Sequence, residues 1–358
     1  MWSTYVMGSR VFICGGKSSE HQVSLMSISS LLGELGSHLG AYYVLGIRRS
    51  GEWVYCGQNG FLENADDPKS IKLKDNLPLI TVTPGNRAPF QVDGRKRLED
   101  VSCIFPLVHG TNCEDGILQG FLQTLGIPFV GSLTSGSSLC MDKDLTKRIL
   151  KSHGIPVVPW QIYKKGDDLR LAFQKAQAEF GLPVFVKPSR SGSSVGVSKV
   201  KKSEEFEEAL HEALREDSVV LIEKFYPSRE IECSVLGNGP FQASRTGEII
   251  PQHEFYSYEA KYIDPNGAKL VIPSEVGQTV EKKIQEYSIK ACEALEVRGL
   301  ARVDFLLTEN GLIHLNEVNT LPGFTPISMY PKMWAASGLS YKDLVDKLFT
   351  LAQEYMGE

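Results

Sequence analysis

Apolar and polar positions change period several times along the 358-residue chain, and each change marks an expected element. Residues 11–14 form a short apolar run closed by Gly15-Gly16, after which Val23, Met26, Ser30 and Leu31 recur at helical spacing. That pattern predicts strand, glycine turn and helix. Ser18 or Ser19 is the expected cap, which would set Glu20 in the first turn, where the helix dipole favours negative charge. Residues 101–108 read as a second apolar strand, leading through HGTNCEDG into another helix, and GIPFVG closes a first domain over residues 1–131. Residues 41–100 read as irregular strands and loops with little chemical signal. Beyond them a serine-rich entry leads into a helix over MDKDLTKRILKSHG, and the prolines of IPVVPW keep the next stretch extended. In SEEFEEALHEALRED, Ser203 is the expected cap and Phe206, Leu210 and Leu214 lie along one face. Strands are expected over 218–225 and 229–236, and a helix near 279–295.

The sharpest alternation lies in LARVDFLLTENGLIHLNEVNTLPGFTPISM, from Leu300 to Met329. Asn310-Gly311 suits a two-residue hairpin turn, so Glu309 is paired with Leu312 and the register counted outward. It sets Asp304 opposite Glu317 and Arg302 opposite Asn319, with Arg302 and Asp304 on one face. Carboxylates that face each other destabilise a sheet, whereas oxygens from Asp, Glu and Asn suit Mg²⁺. A solvated acidic hairpin is the bland alternative.

Composition narrows the class. A length of 358 residues suggests two or three domains, and a formal net charge of -5 offers no general attraction to nucleic acid or anionic membrane. The seven cysteines are scattered without a C-x-x-C pair, which argues against a disulfide framework and a zinc site and suits a reducing cytoplasm. MWSTYVMGSR has no apolar core of a leader, and no stretch approaches the length of a membrane span. Small molecules are the expected partners.

Several polar residues then stand out, each with a plain reading beside the functional one. Glu20 either stabilises its helix or, at a strand's C-terminal edge, receives a substrate ammonium. His109 is either a hydrogen-bonded structural residue or part of a site. Lys187 ends a strand and precedes a loop with Gly192, Ser193, Ser194 and Gly196; small residues let backbone N–H groups approach phosphate, while a lysine adds a point charge. The loop differs from a P-loop, since no G-K-[ST] is present and a strand follows. Glu223 and Glu230 either flank a purine pocket or are edge charges. HEFYSYEAKYIDPNGAK reads as a lid or as a surface loop.

Taken together, GGKSSEHQVS, HGTNCEDG, MDK, VKPSRSGSSVGV, YEAKY, RVDF, NEVNT and PGFTPIS, in this order and over nearly the whole chain, resemble the D-alanine:D-alanine ligases of the ATP-grasp superfamily. Cys113 departs from the pattern, which usually has glycine there, and would be less free to take positive φ. Met329 stands where leucine is frequent. The resemblance implies an α/β (α+β) fold of three domains, at 1–131, 132–223 and 224–358. ATP would lie between two antiparallel sheets, beside an N-terminal domain with a mainly parallel sheet. It further implies that Lys143 and Lys187 meet nucleotide phosphates, that Ser193 and Ser194 cover them, and that Glu223, Phe225, Tyr226 and Glu230 surround adenine and ribose. Asp304, Glu317 and Asn319 would hold two Mg²⁺, with Mn²⁺ as a substitute. Arg302 and Gly323 would stabilise transition-state charge. Glu20 would bind the ammonium of the first D-alanine near His109, Ser328 and Met329 would meet the carboxylate of the second, and Lys261 and Tyr262 would come from the lid. Ligation through a D-alanyl phosphate, for peptidoglycan precursors, by a cytoplasmic homodimer is the activity so implied. The alternatives are a D-lactate acceptor or a nucleotide-binding relative without catalysis.

Overall fold

In the computed structural model, which describes residues 8–252, 267–325 and 328–355, the first apolar run becomes Ser9–Gly15, an inner strand of a four-stranded sheet. It pairs in parallel with Tyr42–Ile47 and Val101–Pro106, and Trp53–Gly57 adds an antiparallel edge. Burial on both faces explains why Val11, Phe12, Ile13 and Cys14 are apolar without alternation. The helix His21–Leu35 covers one face through Leu25, Ile28 and Leu31. Its start differs from expectation: Glu20 occupies the N-cap position rather than the first turn, and no side chain caps the helix. Ser18 is engaged elsewhere, accepting from Glu20 N at 3.1 Å and donating to the His109 carbonyl at 2.5 Å. Residues 41–100 contribute the edge strand and two small antiparallel sheets, Leu62–Glu63 with Lys72–Leu73 and Ile80–Val82 with Phe90–Val92 and Lys96–Arg97.

The serine-rich entry is itself helical, Thr134–Met141, and the chain breaks at Asp142, whose carboxylate accepts from Asp144 N and Leu145 N to start Lys143–Ser152. The break aims Lys143 and Lys147, one turn apart, along one side of the new helix. A central antiparallel sheet follows, in the order Trp160–Lys164, Val219–Lys224, Val184–Pro188, Ser198–Val200. Phe206–Glu216 lies on it through Phe206, Ala209, Leu210 and Ala213, so the buried stripe runs i, i+3, i+4, i+7 and Leu214 sits at its margin. Ser203 does not cap this helix; it opens a short 3₁₀ turn, and the Glu205 carboxylate accepts from the Lys201 and Lys202 amides.

The third sheet has five antiparallel strands in the order Ala268–Val271, Gln242–Pro251, Ser228–Gly237, Gly299–Thr308, Ile313–Asn319. Gln278–Ala294 packs behind it, and the last helix, Tyr341–Tyr355, returns to the N-terminal core. There Phe349 meets Phe12 and Phe105 edge-on, with centroids 5.8 and 5.9 Å apart, and Arg10 pairs with Asp346 at 2.9 Å. The C-terminal helix thereby holds the N-terminal sheet against the rest.

The hairpin has the expected register at its chemical end for a reason the turn rule missed. Asp304 is opposite Glu317 and Arg302 opposite Asn319. Yet the turn is not closed by Glu309 and Leu312: Thr308 N donates to the Leu312 carbonyl, Gly311 takes φ +80°, and Leu307 pairs with Ile313. That is a three-residue loop, one step out of the assumed register. A bulge between Asp304 and Phe305 restores the step, because Phe305 pairs with Leu315 and leaves Asn316 as the extra residue. Both Asn316 and Glu317 thereby reach the cleft.

Candidate active site

A cleft of about 1310 Å³ opens between the central and C-terminal sheets and reaches the N-terminal sheet's loops. That exceeds the usual range for one small ligand, roughly 300–1,000 Å³. Lys143, Lys187, Ser193, Ser194, Glu223, Phe225, Tyr226, Glu230, Arg302, Asp304, Glu317, Asn319, Gly323, Ser328 and Met329 all line it, together with Glu20 and His109. Residues 261 and 262, the expected lid lysine and tyrosine, lie outside the described residues, as do Pro326 and Ile327 of PGFTPIS.

At one end three lysines converge. Lys143 Nζ donates to the Ser191 carbonyl at 2.7 Å and stands 3.7 Å from Glu317 Oε2. Lys187 Nζ is 2.7 Å from Glu223 Oε2 and 3.4 Å from Asn316 Oδ1. The other oxygen of Glu223 meets Lys147 Nζ at 3.0 Å. Burial lowers Lys143 and pushes Lys147 down to about 8. Burial alone would raise Glu223, but Lys147 and then Lys187 outweigh it and hold the carboxylate below its ordinary value. Glu223 is thus an internal ion-pair partner, and the edge-charge reading fails because it is 3 % exposed. Further along the cleft, Phe225 lies beside Phe185 and under Lys199, and Tyr226 stacks on His314 at 4.8 Å.

On the hairpin, Arg302 forks onto Asp304, Nε to Oδ1 and Nη2 to Oδ2, each 2.7 Å, and its Nε is 3.1 Å from Glu232. Asn319 donates to Asp304 Oδ2 at 3.0 Å. Burial would lower Arg302, yet Asp304 and Glu232 keep it well above the usual guanidinium value. Among the described residues no group of three or more His, Cys, Asp or Glu side chains is placed to hold a metal ion unaided. Two carboxylates and an amide nevertheless fit Mg²⁺, which ordinarily takes one or two protein carboxylates and completes its shell with phosphate oxygens and water.

The other end is acidic. Ser193 Oγ, on the glycine-rich loop, donates to Glu20 Oε1 and so joins two domains across the cleft. Two glycines lie close beside this carboxylate: a Cβ at Gly110 would come within 2.5 Å of Glu20 Oε2, and one at Gly192 within 2.9 Å, so a side chain at either would push the carboxylate aside. Ser193 and Ser194 themselves take positive φ, which turns the loop back over the cleft. His109 bridges Ser27 Oγ and the Leu321 carbonyl, and burial lowers its pKa. Glu114 accepts from Gly110 N at 3.0 Å, and burial, then Glu20, pushes its carboxyl up to about 8. Ser328 precedes the helix Met329–Ala336, accepts from Thr325 N at 3.0 Å and leaves no room for a Cβ on Gly323 without a close contact. Cys113 keeps negative φ while its neighbour Asn112 takes +65°, so the expected restriction does not fall on the cysteine.

Family models of the D-ala D-ala ligase N-terminus and C-terminus match residues 10–132 and 149–350. The chain belongs to the D-alanine–D-alanine ligase family. It is 46% identical over 344 residues to the D-alanine–D-alanine ligase of Oceanobacillus iheyensis, covering 96% of this chain and 94% of that one. The D-alanine-D-alanine ligase of Coxiella burnetii superposes with a TM-score of 0.85 at 35% identity, over 98% of this chain and 95% of the other. VanG, a D-Ala:D-Ser ligase from Enterococcus faecalis, does so at 0.83 and 34%, over 97% and 100%.

Three residues that line the cleft, Glu232, Asn316 and, within HGTNCEDG, Glu114, and one buried behind it, Lys147, were not singled out from sequence. Signals existed for two of them. Lys147 is four residues after Lys143 on one helix, and Glu232 is two after Glu230 on one strand, hence on the same faces. Asn316 enters only through the bulge, which no pairing rule anticipates.

Proposed function

We propose that the chain joins two D-alanine molecules into D-alanyl-D-alanine at the expense of ATP. The observation that carries this reading is one cleft with buried lysines at one end, paired carboxylates on the hairpin and Glu20 at the other end. ATP would supply the phosphoryl group, and two Mg²⁺ at Asp304, Glu317 and Asn319 would offset its charge.

Lys143 and Lys187 bind the phosphates, and the loop carrying Ser193 and Ser194 folds over them. Glu20 receives the ammonium of the first D-alanine and so points its carboxylate back toward the lysines. Transfer of the γ-phosphoryl group of ATP to that carboxylate, with ADP released, makes a leaving group, and the free amine of the second D-alanine attacks the acyl carbon. Phosphate then departs as the amide forms and the amine loses its extra proton. Arg302 and the Gly323 amide stabilise the oxyanion of this step, while Ser328 and the helix behind it hold the second carboxylate. Lys261 and Tyr262, which lie outside the described residues, are the residues we propose for a lid that would keep water from the acyl phosphate. Cytoplasmic location, a homodimer and supply of peptidoglycan precursors accompany this reading. No described helix is long and apolar enough to cross a membrane.

The test is phosphate release from ATP and Mg²⁺ with D-alanine alone, then with D-serine or D-lactate added, with products identified by mass spectrometry. D-Alanine alone is expected to stimulate release and give the dipeptide. Release that no D-amino or D-hydroxy acid stimulates refutes the ligase reading and leaves a non-catalytic nucleotide binder.

A further inference from the structure

Lys147 has no part in the reaction as derived, yet it is buried to 1 % exposure beneath the phosphate end of the cleft. Lys187 and Glu223 line the cleft, and Lys147 does not. Its ammonium is 3.0 Å from Glu223 Oε1 and donates to the Val158 carbonyl at 3.3 Å, with the Trp160 ring 5.8 Å away. One buried carboxylate therefore serves two ammoniums, Lys187 in front and Lys147 behind.

Holding a lysine so deep is costly, and an isolated buried ion pair is no better for stability than apolar packing of the same volume. The arrangement makes sense if one partner of Glu223 has to leave. A phosphate arriving in the cleft competes with Glu223 for Lys187. Were Lys187 the sole partner, its departure would strand a buried carboxylate, and the phosphate contact would be offset by that loss. We infer that Lys147 is a positioning residue: it is the standing counter-charge of Glu223, and it frees Lys187 for the nucleotide phosphates. This rests on the proposed phosphate role of Lys187.

The test compares the affinities of ATP and adenosine, measured by calorimetry without turnover, because only ATP calls on Lys187. In Lys147→Met, Glu223 depends on Lys187 alone. ATP affinity is expected to fall at least about tenfold, the size of one charge-assisted contact, with adenosine affinity unchanged. Adding Glu223→Gln to that variant removes the competition and is expected to restore the ATP-to-adenosine ratio. Lys147→Arg, which keeps the charge, is expected to stay within about threefold of the parent. Equal weakening of both ligands, no change in either, or a double variant that stays as weak as Lys147→Met overturns the inference. If Lys147→Met does not fold, Glu223→Gln alone decides: an ATP-to-adenosine ratio above the parent's supports the competition, and an equal or lower one overturns it. A parent protein that binds no ATP would instead defeat the functional reading.

Discussion

The two ends of the cleft handle charge in opposite ways. At the phosphate end the cations are matched from within: Lys147 and Lys187 share Glu223, and on the adjoining hairpin Arg302 lies between Asp304 and Glu232. At the amino-acid end, carboxylates crowd one another, and the proximity of Glu20 adds to burial in pushing Glu114 up to about 8. Matched charges keep side chains in place before an anionic ligand arrives, and each must then be released by exchange. Crowded like charges do the reverse, since an arriving ammonium relieves them. Under the proposed function, the matched end would take the polyanion and the crowded end the zwitterion's cation.

Arg302 is the strongest test of the matched end. Arg302→Ala removes the donor proposed to face developing charge and leaves Asp304 and Glu232 facing each other, so kcat is expected to fall about 10²–10³-fold. Unchanged kcat would show that the guanidinium only neutralises its neighbours. Glu317→Gln keeps shape and removes one charge. It should raise the Mg²⁺ concentration for half-maximal rate by about tenfold or more, consistent with loss of a charge-assisted contact, while the melting temperature stays near the parent's. Normal turnover at low Mg²⁺ would take Glu317 out of the metal site.

Legibility in sequence followed the range of the physics involved. The acidic pair was readable because strand alternation acts over two residues, and Asp304 and Glu317 do face each other. Even so, the inference succeeded through two departures that cancel, a longer turn and a bulge at Asn316. Lys143, Lys187, Ser193 and Glu20 were readable from short motifs. Lys147 was hidden because its importance depends on which face of its helix is buried, and that is decided by a sheet some forty to eighty residues further on. The helix start failed for a similar reason: the Ser18 hydroxyl is fixed by donating to the His109 carbonyl, distant in sequence, and its oxygen accepts from Glu20 N, before the helix begins at His21.

Glu114 tests the crowded end through pH. Its carboxyl titrates near about 8 when folded and near its ordinary 4.5 when unfolded, so between these values the folded chain holds a proton that the unfolded chain has released. Stability contributed by the protonated form is lost as pH rises through that window, by up to about 1.4 kcal/mol per pH unit. Lys147, lowered to about 8, acts in the opposite sense only above that pH, and His21, His109 and His314, each lowered from 6.5 by burial, act in the opposite sense below it, so Glu114 is read as the difference between parent and variant from pH 5 to 7.5. Glu114→Gln can keep the acceptor for Gly110 N and should remove the falling component from the dependence of denaturation midpoint on pH there. An unaltered slope would mean that Glu114 is ionised and its neighbourhood less crowded than the geometry indicates.

The smallest effect belongs to Cys113, which stands at the same end without carrying charge. Its thiol is 2 % exposed beside the Ser18 hydroxyl, and it packs so closely that a Cβ on Gly16 would lie 2.5 Å from Sγ. Burial, followed by the nearby acidic residues, pushes the thiol up to about 12, so it is neither a nucleophile nor a counter-charge. Its contribution is to fill the space between the Gly15-Gly16 turn and the Ser18 to Glu20 segment. Since its φ is negative, glycine is not needed there for conformational reasons. Cys113→Gly is expected to cost about 1 kcal/mol of stability through lost packing and added unfolded-chain freedom. The KM for D-alanine should move less than about threefold, because Ser18 keeps its hydrogen bonds to His109 and Glu20 and holds the carboxylate by backbone geometry. A tenfold rise in that KM would mean instead that packing against the thiol, and not the Ser18 link, sets where Glu20 meets the ammonium.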